Sequence, residues 1–276
     1  MNKTMKQMLA ATALITAVSC GSQNQSKILV LYYSQGGNTK AVAEEIATRL
    51  GADQEEIVSL QPYDGDFQAT IGRCMQEREA GILPEIKPLA AKLSAYDVVF
   101  LGYPVWFGTY APPVKALLEQ VDLSGKKVVP FCTFGSGGLD SSTRDLKAAQ
   151  PQAQVLDGYG VRAARMAAMP KEVDQFLKAG GFLEGEYVQL PAFPELHPAS
   201  DQEAAILAAA IADYPMMQGT VAAAVASRPV PGGVEYLFTA LPQQREADPK
   251  MPPATEMKVY VLAEEGVPPV FTQVIR

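Results

Sequence analysis

The sequence predicts an α/β fold: a five-stranded, doubly wound parallel sheet with helices on both faces, followed by a small C-terminal α+β module. Three observations carry this reading. Between residues 27 and 180, short apolar runs alternate with stretches of helical spacing. The first and third of those runs carry unbroken apolar stretches, Ile28 to Tyr33 and Val98 to Leu101, as strands covered on both faces do. Past residue 200 one helical stretch gives way to period-two alternation, the pattern of half-buried antiparallel strands. The length of 276 residues, 48% of them hydrophobic, suits one ordinary domain plus a smaller one. It also excludes wholesale disorder. A pI near 4.9 excludes a nucleic-acid-binding surface, which needs a surplus of Lys and Arg.

The chain opens with Lys3 and Lys6, an uncharged run from Met8 to Val18, and then Ala17-Val18-Ser19-Cys20-Gly21. A basic flank, an apolar stretch too short to span a bilayer and small residues at a cleavage point make a secretory signal peptide over 1–19. Cys20 followed by Gly resembles the lipobox of bacterial lipoproteins, with Ala17 where Leu is commoner. The resemblance implies cleavage before Cys20 and its lipidation, hence an exported bacterial lipoprotein anchored on the periplasmic side or at the cell surface. The plainer alternative is an ordinary signal peptide with an incidental cysteine. Residues 20–26 read as a tether. Removing residues 1–19 takes two lysines and moves the formal net charge from −7 to −9, so the acyl group would be the only membrane attachment.

The body then runs in order. Lys27 to Tyr33 is a buried strand, and Ala43, Ile46, Ala47 and Leu50 place a helix that Gly51 ends. Glu56–Leu60 reads as a second strand and Phe67–Glu79 as a helix. Asp97–Tyr103 is a third, buried strand. Pro112 and Pro113 open a helix with Val114, Leu117, Leu118 and Val121 on one stripe. Lys127–Thr133 gives a fourth strand, Ser141–Ala149 a helix, Gln154–Leu156 a weak fifth strand, and Lys171–Ala179 the last helix. This unit covers 27–180, a linker covers 181–200, and the module covers 201–276. In the module, Gln202–Ala212 is helical. Strands follow at Val234–Leu241, Met257–Ala263 and Val270–Ile275, and Gly219–Ala226 could be a strand or a short helix. The module could cover an edge of the site, dock a partner, or simply pack.

In an open parallel sheet, ligands lie beyond the carboxyl ends of the strands, where strand order reverses. Three loops fall there. Ser34-Gln35-Gly36-Gly37-Asn38-Thr39 leads into a helix and reads either as an anion cradle without Lys or Arg or as a tight N-capped turn. It is not a P-loop, since no Gly-Lys-Ser/Thr follows. Tyr103 to Tyr110 holds four aromatics, among them Trp106, the single tryptophan of the chain. It reads as a stacking surface for a flat ring or as a satellite hydrophobic cluster. Thr133 to Gly138 offers backbone donors or is a surface loop. Their appearance together on one sheet edge is more specific than any one alone.

With these motifs, Tyr33-Ser34-Gln35-Gly36-Gly37-Asn38-Thr39, Gly102-Tyr103-Pro104-Val105-Trp106-Phe107-Gly108 and Thr133-Phe134-Gly135-Ser136-Gly137, residues 27–180 resemble a flavodoxin-family domain. The resemblance implies a flavodoxin-like fold and FMN as cofactor. Ser34, Gln35, Gly36, Gly37, Asn38 and Thr39 would form the phosphate loop. Pro104, Val105, Trp106, Phe107 and Gly108 would line one side of the ring, and Thr133, Phe134 and Gly135 the other. Gly36 departs from the family, which usually has a hydroxyl residue there. The missing hydrogen bond to a charged group is worth about 1.5–3 kcal/mol. The implied function is electron transfer, or reduction of a small acceptor such as a quinone, with redox donor and acceptor unspecified. The competing reading is a non-catalytic surface lipoprotein that keeps the fold as a binding module without FMN.

Other reactive residues carry little. His197, the single histidine, sits in the Pro-rich linker and reads as exposed, which argues against Ser-His-Asp or Cys-His hydrolysis. Cys74 and Cys132 have no metal or dithiol spacing and read as buried thiols. Arg73, Glu77, Arg78 and Glu79 read as a solvated helix face. No catalytic side chain and no metal site are expected.

Overall fold

The computed structural model describes residues 26–63, 66–242 and 255–275. The expected signal peptide over 1–19, the lipidation site Cys20 and all of the tether but Ser26 lie outside the described residues. Among the described residues, no helix is long and apolar enough to cross a membrane.

The first unit runs β1 (Ile28–Tyr32), α1 (Asn38–Leu50), β2 (Asp53–Glu56), α2 (Phe67–Ala80), β3 (Val98–Trp106), β4 (Thr109–Tyr110), α3 (Pro112–Leu118), β5 (Lys127–Phe134), α4 (Leu139–Ala149), β6 (Gln154–Val155), β7 (Tyr159–Arg162) and α5 (Met169–Ala179). Its parallel sheet has the order β2-β1-β3-β5, and β6 and then β7 pair along the outer side of β5. Successive strand residues enter different cores. Leu29, Leu31, Val99 and Leu101 share one with Val114 and Leu117 of α3 and Leu146 of α4. Val30, Val98 and Phe100 share the other with Val42 and Ile46 of α1 and Val173 and Leu177 of α5. This two-sided burial is why the strands read as unbroken apolar runs. The chain winds from β1 to β2 in one direction and to β3 in the other, so the carboxyl ends of β1 and β3 flank the reversal.

Three elements differ from the sequence reading. β2 is Asp-Gln-Glu-Glu, paired with Leu29–Tyr32, rather than Glu56–Leu60. An edge strand with solvated side chains tolerates a polar sequence, whereas the apolar residues that suggested the strand turn inward past it: Ile57 is buried, and Ser59 bridges to Ile86. The stretch 103–110, expected as a loop, is the end of β3, a two-residue turn and β4. β7 has no counterpart among the predicted strands, because Tyr-Gly-Val-Arg is short and shows no clear period.

The second unit contains β8 (His197–Pro198), α6 (Asp201–Ile211), β9 (Val221–Val230), β10 (Gly233–Leu241), β11 (Met257–Glu264) and β12 (Val270–Ile275). Its strands form an antiparallel sheet in the order β12-β11-β10-β9-β8. The ambiguous stretch 219–226 resolves as the start of β9. α6 begins with a reciprocal capping box between Ser200 and Glu203. It buries Leu207 and Ile211 against Val225, Phe238, Val259 and Phe271. Part of the 181–200 connection also packs on this sheet, where Phe193 meets the Tyr260 ring and Arg228 lies over Phe193. His197 is exposed, as expected, 3.6 Å from Glu203.

The two units are joined at the carboxyl edge of the parallel sheet. The Val274 N–H of β12 donates to the Ser136 carbonyl at 2.6 Å. Gly137 passes so close that a Cβ there would lie 2.2 Å from the Val274 carbonyl oxygen. Arg162, at the end of β7 and only 9% exposed, spans the joint. Its Nε donates to the Gly135 carbonyl at 2.9 Å and its Nη1 to the Phe271 carbonyl at 2.7 Å. The guanidinium lies 3.3 Å from the centre of the Phe271 ring. Burial lowers the Arg162 pKa, yet arginine keeps its charge, and carbonyl dipoles with a ring face solvate it in place of a carboxylate.

Candidate functional site

The turn after β1 presents backbone donors. α1 starts behind Gly37, which has no side chain to cap it. The Gly37 N–H donates to the Ser34 hydroxyl at 3.2 Å. Among the described residues, no carbonyl or side chain receives the N–H groups of Asn38 and Thr39. An uncapped helix start combines free donors with the positive end of the helix dipole, which suits an anion. Thr39 is buried and its hydroxyl is 2.8 Å from that of Thr133, tying the first loop to β5. Gln35 turns the other way, its amide donating to the Tyr63 carbonyl and the Thr70 hydroxyl, both at 2.8 Å.

The β3–β4 hairpin presents aromatic surface. Trp106 pairs with Thr109, and the turn between them is Phe107-Gly108, with φ of 52° and 80°. Two successive positive φ values make the type I′ geometry that matches strand twist, which glycine and asparagine normally occupy. Phe107 is the one described non-glycine residue with positive φ, and backbone strain of this kind concentrates at functional sites. Phe107 is 51% exposed, with the Arg78 guanidinium 5.3 Å from the centre of its ring. Trp106 stands edge to face against Tyr33 and Tyr63, at centroid distances of 5.9 and 5.1 Å. Tyr63 is held in turn by Arg73, 3.9 Å from the ring centre, and by its hydroxyl bond to Glu77 at 2.5 Å. Burial and this carboxylate push the Tyr63 pKa up. The charged face of α2 is therefore not simply solvated, because Arg73 and Glu77 brace the ring behind Trp106.

Between these features lies a cavity of about 660 Å³, within the range of small-molecule sites. Its wall is built by Gln35, by Thr70, Ile71 and Cys74 of α2, by Val105–Gly108, by Gly135–Ser141 and Arg144, and by Tyr214 and Gln273–Ile275 of the second unit. The Ser141 hydroxyl bonds the Gly108 carbonyl at 2.5 Å and pins the hairpin to the start of α4. Cys74 lines the cavity as a buried thiol, its pKa pushed up to about 11 by burial and by Glu77. Cys132 is buried and raised by burial as well. Neither is a thiolate at neutral pH. Among the described residues no cluster could hold a metal ion.

The expected site residues thus fall into three sets. Gln35, Val105, Trp106, Phe107, Gly108 and Gly135 line the cavity. Ser34, Gly36, Gly37, Asn38 and Thr39 form the adjoining turn and helix start. Pro104, Thr133 and Phe134 lie behind the wall. Pro104 and Thr133 are paired between β3 and β5, and Phe134 belongs to the core. Of the four aromatics between 103 and 110, Tyr103 and Tyr110 are core residues, because inward positions of β3 and β4 bury them. The sequence reading missed Tyr63, Thr70 and Ile71, which a fourth carboxyl-edge connection, the one after β2, could have suggested. It also missed Tyr214 and Gln273–Ile275, for which no local signal exists.

The flavodoxin family model matches residues 27–174, more than half of the chain. The chain is 33% identical over 129 residues to NAD(P)H dehydrogenase (quinone) 3 of Rhizobium meliloti (strain 1021), a match covering 42% of this chain and 58% of that protein. It therefore spans less than two thirds of that relative's length. Among solved structures, it is similar to a candidate flavoprotein from Bacteroides eggerthii DSM 20697, with 31% identity, a TM-score of 0.50, and 56% of this chain and 97% of the other covered. It is also similar to a flavoprotein in complex with FMN from Lactobacillus acidophilus NCFM, with 28% identity, a TM-score of 0.45, and 49% and 93% covered. With the winding of its sheet, the helix start after β1 and the aromatic hairpin after β3 all in place, the chain belongs to the flavodoxin family.

Proposed function

We propose that the protein binds FMN in the cavity at the carboxyl edge of its parallel sheet and works as a flavin redox protein, transferring electrons or reducing a small acceptor such as a quinone. One observation carries this reading. The loop that lines the cavity through Gln35 runs directly into the free N–H donors at the start of α1, and the cavity is walled by Trp106, Phe107 and Val105, as a ligand with an anionic tail and a flat ring requires. Ser34, Gly36, Gly37, Asn38 and Thr39 hold the phosphate, mainly through backbone N–H groups. Gln35 is committed to Tyr63 and Thr70 and fixes the shape of the loop. Val105–Gly108 and Gly135 face the ring, while Pro104, Thr133 and Phe134 support them from behind.

FMN, when bound, supplies one- and two-electron chemistry. The chain's part is to bind, orient and exclude water. The Tyr33–Tyr63–Trp106 cluster holds the indole in one position. The strained Phe107 turn, pinned through Gly108 to Ser141, holds the hairpin against the cavity. Protonated Cys74 keeps its wall free of charge.

Export belongs to the same proposal: Cys20, lipidated after removal of residues 1–19, would hold the flavin unit at a membrane surface through the tether. Replacing Cys20→Ser should release the protein from the membrane fraction. Retention by the membrane would refute the anchor.

The chain produced without its first nineteen residues should be yellow, or should quench the fluorescence of added FMN. Trp106→Ala should then weaken FMN binding at least tenfold. A colourless chain that does not quench FMN would overturn the flavin reading, and an unchanged affinity would remove Trp106 from the site.

A further inference from the structure

We infer that the second unit seats the electron acceptor, with Tyr214 and Gln273 as the residues that select a small, uncharged, carbonyl-bearing ring of the quinone class. The inference rests on the flavin reading above and deepens it. The family match ends at residue 174, so these residues lie outside what that match covers, yet they form part of the cavity wall.

The wall they form is fixed. β12 is tied to the loop after β5 by the Val274 N–H bond to Ser136, and Arg162 bonds carbonyls on both sides of the joint. Tyr214 packs edge to face on Phe271 at 5.2 Å. Its hydroxyl would stand 3.7 Å from a Cβ at Gly135, directly over the loop expected to face the ring.

What this wall offers is chemically narrow. It adds Tyr214, Gln273, Val274 and Ile275, none of them charged, and Gln273 also borders a second cavity beside Thr272 and Glu264. Among the described residues, no group is bonded to the Tyr214 hydroxyl or the Gln273 amide. Polar groups in such a wall are satisfied by water or by a ligand. The charged groups on the cavity are Asp140 and Arg144, both from α4. An anionic co-substrate would find one lining cation there, balanced by a carboxylate; the Arg162 charge, 5.7 Å from the centre of the Tyr214 ring, is behind the wall and engaged by the Gly135 and Phe271 carbonyls. A neutral ring fits better: its carbonyl oxygens accept from Tyr214 and Gln273, and its apolar body lies between that wall and the bound flavin.

The test uses the full chain loaded with FMN, with tetramethyl-1,4-benzoquinone as the probe. Calorimetric titration of the oxidised protein, without reductant, should give a quinone Kd about 5–10-fold weaker in Tyr214→Phe and in Gln273→Leu, the loss of one hydrogen bond each. In stopped flow, dithionite-reduced protein passes two electrons to the quinone, which takes up two protons and leaves as the hydroquinone. The half-saturating quinone concentration should rise by the same factor while the limiting rate changes less than twofold, which a merely structural role would not produce. The two residues sit on different elements, so a folding defect in one variant leaves the other as the test. Unchanged quinone affinity in a variant that still binds FMN overturns this inference and leaves the flavin reading standing. A chain that binds no FMN overturns the flavin reading, and this inference with it.

Discussion

Gly137→Ala should separate the two units at the joint that completes the cavity. A Cβ at this position falls 2.2 Å from the Val274 carbonyl oxygen and 3.2 Å from the Val274 carbonyl carbon and nitrogen. The obstacle is backbone, so no rotamer change relieves it, and the loop and β12 must part by about 1 Å to reach ordinary contact. That movement stretches the 2.6 Å bond from the Val274 N–H to Ser136 beyond a good hydrogen bond. Overpacking costs about 1–3 kcal/mol and the lost bond about 0.5–1.5 kcal/mol, together about 2–4 kcal/mol. With a urea m-value of about 2 kcal/mol/M, the unfolding midpoint should fall by about 1–2 M. Trp106 is the single tryptophan of the chain, so its fluorescence follows the first unit alone, while far-UV circular dichroism follows both. The two probes should also lose coincidence in the variant, since the units no longer support each other. A midpoint and an m-value indistinguishable from those of the unaltered chain would refute the close approach of Gly137 to β12 and the docking built on it.

Three further outcomes are expected. Gly36→Thr restores the hydroxyl usual in the family at a position where a Cβ meets nothing within 4 Å. It should tighten FMN binding about 10–100-fold in a fluorescence titration, and an equal or weaker affinity would refute the phosphate loop. Phe107→Asn relieves the positive φ at an exposed turn and should raise stability by about 1 kcal/mol while weakening FMN binding, as removal of a cavity-lining ring requires. A lower Tm would refute the strain. The Cys74 thiol, pushed up to about 11 by burial, should react slowly with iodoacetamide at pH 8, faster as pH approaches 11, and rapid labelling at pH 7 would count against its burial.

The parallel sheet was legible because its strands are buried on both sides, so Val98 to Leu101 or Val128 and Val129 declare themselves without reference to partners. The loops were legible for a related reason. Gly36-Gly37 before a helix and an aromatic run after a strand are local patterns with local consequences. β2 was misplaced because an edge strand needs no apolar signal, and the hairpin at Phe107-Gly108 was hidden because phenylalanine is an unusual occupant of a type I′ turn. The roles of Tyr103 and Tyr110 could not be separated from that of Trp106 until the pleat of β3 and its pairing with β4 were known.

Sequence by itself determined the class of the first unit, the edge on which its cavity lies and the segments that supply the uncapped helix start and the aromatic wall. Each of these depends on periodicity and turn chemistry within about ten residues. Tertiary structure alone decided how the cavity is closed. Tyr63 reaches Trp106 through a brace from α2, and Arg162 meets the Phe271 carbonyl 109 positions away. Gly137 is a glycine because of Val274. Contacts between residues so far apart in the chain depend on how folded surfaces fit, a property that no local pattern of residue types encodes.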